Sequence, residues 1–217
     1  MLTYISERRY DPSMDITAAI DAVDREIRDT TRDGKPARMI VAERSYPTSA
    51  DDVWDALTSP ERLPRWFMPI SGDLELGGRY QLEGNAGGTI ETCDPPKHLG
   101  VTWEFGGSIG WVDVYLTESG DDTTLRLEHV GLVDDFDDKW DEFGPGAVGV
   151  GWDLSLLGLA QHLATGADLD PNVVTPELLE AMRRSSDAWG QASIAYGTPR
   201  EQAEAAATRT AAFYTGG

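Results

Sequence analysis

The chain has 217 residues, 40% of them hydrophobic, which is enough to bury one sizeable core and points to one domain with decorations rather than two. Lys and Arg number 18 against 38 Asp and Glu, and the resulting net charge of −20 repels nucleic acid and anionic membrane surfaces, so neither is expected as a partner. The only cysteine, Cys93, excludes an intrachain disulfide and a multi-cysteine metal site, and it fits a reducing compartment.

Met1 to Arg9 lacks the apolar core of a signal peptide, and no apolar run approaches the ~20 residues of a membrane span, so a cytoplasmic protein is expected. Ile16, Ala19, Ile20, Val23 and Ile27 recur at helical spacing before a break at Asp33-Gly34-Lys35-Pro36, which predicts residues 1–38 to be a helical extension. Met39 to Tyr46 reads as the first strand of the main domain, ended by Pro47. Ser49 then caps a helix whose first turn holds Asp51 and Asp52, where the helix dipole favours negative charge, and Ala50, Val53, Trp54 and Leu57 give it one apolar face. Ser59-Pro60 restarts a short second helix that ends at Trp66 and Phe67.

Strands follow at 72–76, 78–83, 89–93, 100–105, 111–118 and 123–130, separated by turns rich in Gly, Pro and Asp, and together they describe an antiparallel meander. Alternation in the last strand puts Leu125, Leu127 and His129 on one face and Arg126 and Glu128 on the other. Residues 113–142 hold eleven acids against Arg126 and Lys139, and the run Asp134 to Glu142, which lacks the glycine turn and spacing of a calcium-binding loop, is expected to be a solvated loop. Val148, Trp152, Leu156, Leu159 and Leu163 make an apolar stripe on a long helix over 147–164 that covers the sheet. Two more helices, over 176–196 and 199–214, carry Trp189, Phe213 and Tyr214, so residues 167–217 are expected to pack as a helical extension either on the domain or on a partner subunit, as in a homodimer.

Several motifs resemble the SRPBCC superfamily of START-like domains, most closely its branch related to the activator of Hsp90 ATPase. They are Val-Trp-x-Ala-Leu-Thr-x-Pro-Glu-x-Leu-x-x-Trp from Val53 to Trp66, Leu76 to Tyr80, Pro95 to Leu99 leading into Thr102 to Phe105, Thr124 to His129, and Gly151-Trp152 with Leu156, Leu159 and Leu163. The resemblance covers residues 39–166 and implies an α+β helix-grip fold of the START/Bet v 1-like kind. In that fold a curved antiparallel sheet wraps around a long C-terminal helix, here with extra helices at both termini. The same fold hosts many ligands and chemistries, so the resemblance does not by itself fix an activity.

Function is read from the aromatic residues. A lining rich in tryptophan with few polar groups suits a small hydrophobic or aromatic molecule, and the expected ligand-binding residues are Trp54, Trp66, Phe67, Trp103, Trp111, His129, Trp152 and Leu156. Each tryptophan also has the plainer reading of core filler, and His129 that of a hydrogen-bonded core histidine. His98 is expected to be exposed in its turn, and His162 to be a cation complementing the end of its helix. No cofactor, metal site or catalytic residue is assigned. Two other readings remain open: a cyclase- or hydrolase-like enzyme using His129 with an inward acid, and a chaperone-linked interaction protein.

Overall fold

The computed structural model describes residues 14–168 and 173–217, with the backbone alone at 136–138. Met1 to Arg9 and the start of the predicted N-terminal extension lie outside the described residues. A short helix α1 (Ile16–Asp21) leads into eight strands: β1 (Asp24–Arg32), β2 (Lys35–Tyr46), β3 (Ile70–Gly72), β4 (Arg79–Leu82), β5 (Gly87–Asp94), β6 (His98–Phe105), β7 (Ser108–Ser119) and β8 (Asp122–Leu132). They form one antiparallel sheet in the order β1-β2-β8-β7-β6-β5-β4-β3. Between β2 and β3 come α2 (Ala50–Thr58) and a 3-10 turn, Leu63–Arg65; after β8 come α3 (Val133–Phe143), α4 (Gly146–Thr165), α5 (Pro176–Tyr196) and α6 (Arg200–Thr215). The sheet curves around α4, which is the helix-grip architecture.

Helix α2 starts where its capping chemistry puts it. Ser49 Oγ accepts the Asp52 amide, and Glu118 Oε1, reaching across from β7, accepts the Ala50 amide, so two of the orphan N–H groups of the first turn are satisfied. Val53 and Ala56 are fully buried on its inner face. Helix α4 is held to the sheet at its middle by Tyr46, whose hydroxyl donates to the Leu156 carbonyl at 3.1 Å, and Val150, Leu156 and Leu159 are buried in the main core with Leu125 and Leu127.

Two predicted elements differ. Residues 24–32, expected as helix, are strand β1, paired along its length with β2 from Asp24–Glu43 to Arg32–Lys35. The inward positions are Val23, Arg25 and Ile27, a period of two in which the middle residue is charged, so Ile20, Val23 and Ile27 mimic helical spacing. The acidic run expected as a loop is helix α3: Asp134 and Asp135 occupy its first turn, where the dipole favours them, and Gly144 closes it with a positive φ of 61°.

The C-terminal helices dock on the domain itself. Trp189 of α5 is fully buried against Gly149 of α4, where a Cβ would stand 2.3 Å from the indole, and Ala203, Ala206 and Ala207 of α6 are buried. Tyr214 donates to the Ala147 carbonyl at 3.2 Å, whereas Phe213 is 71% exposed and touches Phe143.

Candidate functional site

Between α4 and the concave face of the sheet lies a cavity of about 180 Å³. Its floor is the inward row of the strands, with Val112, Val114, Leu125 and Leu127 at the centre and Tyr80, Leu82, Ile90, Leu99, Val101 and Trp103 toward the far edge. Trp152, Ser155, Leu156 and Leu159 of α4 form the roof, and Leu57, Thr58, Leu63, Trp66 and Phe67 close one end. The β3–β4 loop contributes Leu74 and Glu75, and β5 contributes Cys93; these three are exposed and make the rim.

The hydroxyl groups of the wall are turned to protein partners. Thr58 donates to the Trp54 carbonyl at 2.8 Å, Tyr80 to the Thr102 carbonyl at 2.7 Å and Ser155 to the Gly151 carbonyl at 2.8 Å. Each hydroxyl satisfies its hydrogen within the chain, so the interior presents mostly carbon and aromatic faces to whatever fills it. Burial pushes the Tyr80 hydroxyl pKa well above its ordinary value, which keeps it neutral.

Five of the expected ligand residues, Trp66, Phe67, Trp103, Trp152 and Leu156, line this cavity. Trp66 is braced there by its indole N–H donating to the Ala56 carbonyl at 2.9 Å and by Phe67 at a centroid distance of 5.4 Å. The other three do not line it. Trp54 packs half-buried on the main core. Trp111 lies on the opposite face of the sheet with Ala37, Val130 and Leu132, the Arg32 guanidinium 4.6 Å above its ring. The reason is strand parity: Val112 and Val114 face in, so Trp111 shares the outward side with Asp113 and Tyr115.

His129 faces inward but stands behind the tryptophans. Its Nδ1 accepts the Trp152 indole N–H at 2.9 Å, which places its proton on Nε2, and Trp103 lies 6.2 Å away and against Trp152 at 5.0 Å. Burial pulls its pKa down to about 4, so the ring is neutral near neutral pH. The other histidines are also more engaged than expected. His98 pairs with Asp113 at 2.7 Å and stacks on Tyr115, and His162, expected as a helix-end cation, is buried and accepts from Arg62 at 3.0 Å, with burial lowering its pKa.

Wall residues that sequence reasoning did not single out include Tyr80, Leu82, Ile90, Leu99, Val101 and Ser155. Tyr80 and Leu82 alternate along β4, and Ser155 sits three residues after Trp152 on α4, so periodicity carried the signal. Elsewhere a carboxyl group is fully buried, that of Asp153 on the other side of α4. Its Oδ2 accepts from Arg25 at 2.8 Å, from Trp189 at 3.1 Å and from Ser185. Burial raises its carboxyl pKa against the pull of Arg25 and these hydrogen bonds. Among the described residues no group of three or more His, Cys, Asp or Glu is arranged to hold a metal, and no helix is long and apolar enough to cross a membrane.

The sequence model of the family described as activator of Hsp90 ATPase homolog 1-like protein matches residues 47–164. No functionally curated protein matches the chain. Among solved structures, CalU16 from Micromonospora echinospora is 32% identical, covering 79% of this chain and 98% of CalU16, with a TM-score of 0.64. MLL2253 from Mesorhizobium loti is 25% identical over 61% of this chain and 100% of its own, with a TM-score of 0.53. EF2215 from Enterococcus faecalis, at 16% identity and a TM-score of 0.54 over 82% of this chain and 95% of its own, shares the fold.

Proposed function

The chain belongs to the activator of Hsp90 ATPase homolog 1-like family of the SRPBCC superfamily, and from that premise and the cavity we propose that it binds a small hydrophobic or aromatic molecule between α4 and the sheet, without chemistry on it. The observation that carries the reading is the interior of the cavity wall: mostly carbon and aromatic faces, with the hydroxyls of Thr58, Tyr80 and Ser155 bonded back to the chain. Such a wall rewards the transfer of apolar surface from water at about 25 cal/mol per Å² and offers an interior ligand little to hydrogen-bond. At about 180 Å³ the space is somewhat larger than the ~150 Å³ engineered cavity that takes up benzene, which fits a substituted aromatic ring.

His129 is a supporting group in this reading. Its acceptor nitrogen is used by Trp152, and burial stabilises its neutral form, so it orients the tryptophan that roofs the cavity. Native mass spectrometry on protein purified from the cells that make it tests the proposal. A bound small molecule that is released on denaturation, and that is lost when Ser155→Phe fills the cavity, is the expected result. A bound molecule retained undiminished by Ser155→Phe contradicts it.

A further inference from the structure

The rim of the cavity is more specific than its interior. Among all the residues lining the space, Glu75 alone carries a formal charge, and it stands with Leu74 and Cys93 where the cavity opens to solvent. No side-chain partner holds its carboxylate among the described residues. Basic side chains on the neighbouring elements are turned elsewhere. Arg62 bonds Asp52, Asp55 and His162, Arg65 bonds Asp168, and Arg79 bonds Glu104. Lys97, on the turn after β5, does not line the space. The β3–β4 loop that presents Glu75 is tied to β4 before it, the Asp73 amide donating to the Arg79 carbonyl at 2.8 Å, and to β5 after it, the Gly77 amide donating to the Ile90 carbonyl at 2.8 Å and the Ile90 amide to the Gly78 carbonyl at 3.0 Å. The backbone that carries Glu75 is therefore fixed at the mouth.

Resting on the binding function proposed above, we infer that the ligand is an apolar or aromatic body ending in a cationic or neutral polar group, an amine above all, and that carboxylate-ended molecules such as fatty or aryl-alkanoic acids are disfavoured. A ligand whose ring enters first leaves its polar end at Glu75. An ammonium there meets an unpaired carboxylate at short range; a carboxylate meets like charge with no cation to offset it, inside the field of a chain with a net charge of −20. The hydroxyls of the wall cannot substitute as donors, because they are already committed to carbonyls. Selection thus works by repelling the acid as much as by attracting the amine.

Three probes of one shape separate this from the underlying reading: phenylbutylamine, phenylbutanol and phenylbutanoate, titrated calorimetrically near neutral pH and low salt, where the first is cationic and the last anionic. The expected order of affinity is amine, alcohol, acid, with the amine at least about threefold tighter than the acid, the scale that an exposed ion pair supplies. Added salt narrows the gap. Glu75→Gln, an exposed substitution, shrinks the amine-to-acid ratio when each Kd is referred to that of the alcohol. An acid that binds as tightly as the amine, or a ratio that Glu75→Gln leaves unchanged, overturns the inference while the cavity reading stands. Failure of all three probes to bind, the neutral alcohol included, removes the cavity reading and the inference with it.

Discussion

Trp152 of α4 donates its indole N–H to Nδ1 of His129 on β8 at 2.9 Å, across the back wall of the cavity. The bond joins the roof to the floor, and it requires a neutral imidazole, because a protonated ring has no lone pair on Nδ1 to offer. Two consequences can be measured.

The first is a pH dependence of stability. His129 has a folded pKa of about 4 against an ordinary 6.5, so the unfolded chain binds more protons in that interval and stability falls as the pH drops through it. The loss for this one group is on the order of 3 kcal/mol, complete below the folded pKa. Burial lowers the pKa of His162 as well and adds in the same sense, whereas the raised pKa of Asp153 acts oppositely. The contribution of His129 is therefore read as a difference: His129→Gln, whose amide oxygen still accepts from Trp152, should show a visibly flatter decline than wild type in denaturant melts between about pH 6.5 and pH 4. Parallel curves for the two proteins speak against a buried neutral His129.

The second concerns the tryptophans. Trp152→Ala removes a roof residue and leaves Nδ1 of His129 unpaired, at a cost of about 3 kcal/mol or more. Trp66→Ala, near the cavity end, exposes the Ala56 carbonyl to water and should cost less stability while weakening ligand binding more. Equal stability losses, with binding untouched by Trp66→Ala, contradict the placement of Trp66 as a ligand contact.

Much of this arrangement was legible before the structure. The capped helix α2, the meander and the apolar stripe of α4 follow from local period and turn chemistry, because each depends on residues a few places apart, whereas the cavity positions of Trp66, Trp103 and Trp152 follow from the family resemblance. What escaped depends on distant partners. Strand β1 was masked because its middle inward residue is Arg25, tolerable there only because Asp153 meets it from a helix 128 residues away. Trp111 was assigned to the cavity on its residue type although the parity of β7 turns it outward, where Arg32 of the edge strand covers it. His162 looked like a helix-end cation until Arg62, a hundred residues earlier, occupied its acceptor nitrogen.

The Arg25–Asp153 pair yields a third prediction. Asp153→Asn leaves Arg25, 7% exposed at its side chain, without its counter-charge, and should destabilise by roughly 3–5 kcal/mol. The double replacement Arg25→Met with Asp153→Leu removes both charges and should cost clearly less than the sum of the single changes. Strict additivity in a double-mutant cycle from chemical denaturation argues against direct coupling.

A fourth addresses the C-terminal helices. Gly149→Ala gains helix propensity but drives a methyl group to within 2.3 Å of the Trp189 ring, and the clash should win, with a net loss of about 1–3 kcal/mol and faster proteolysis of α5 and α6. Adding Trp189→Leu, which clears the ring, should make the glycine substitution nearly neutral. A stabilised, protease-resistant Gly149→Ala protein contradicts the close packing of α4 on α5.

The central claim is that the space between α4 and the sheet is a ligand site, and calorimetric titration of neutral phenylbutanol into wild type and Ser155→Phe tests it most directly. The account predicts saturable one-to-one binding with a negative heat-capacity change in wild type, and its loss in Ser155→Phe at an undiminished Tm, because the added ring occupies the space from the helix side. Binding of equal strength to a folded Ser155→Phe protein, or no binding to wild type, contradicts it.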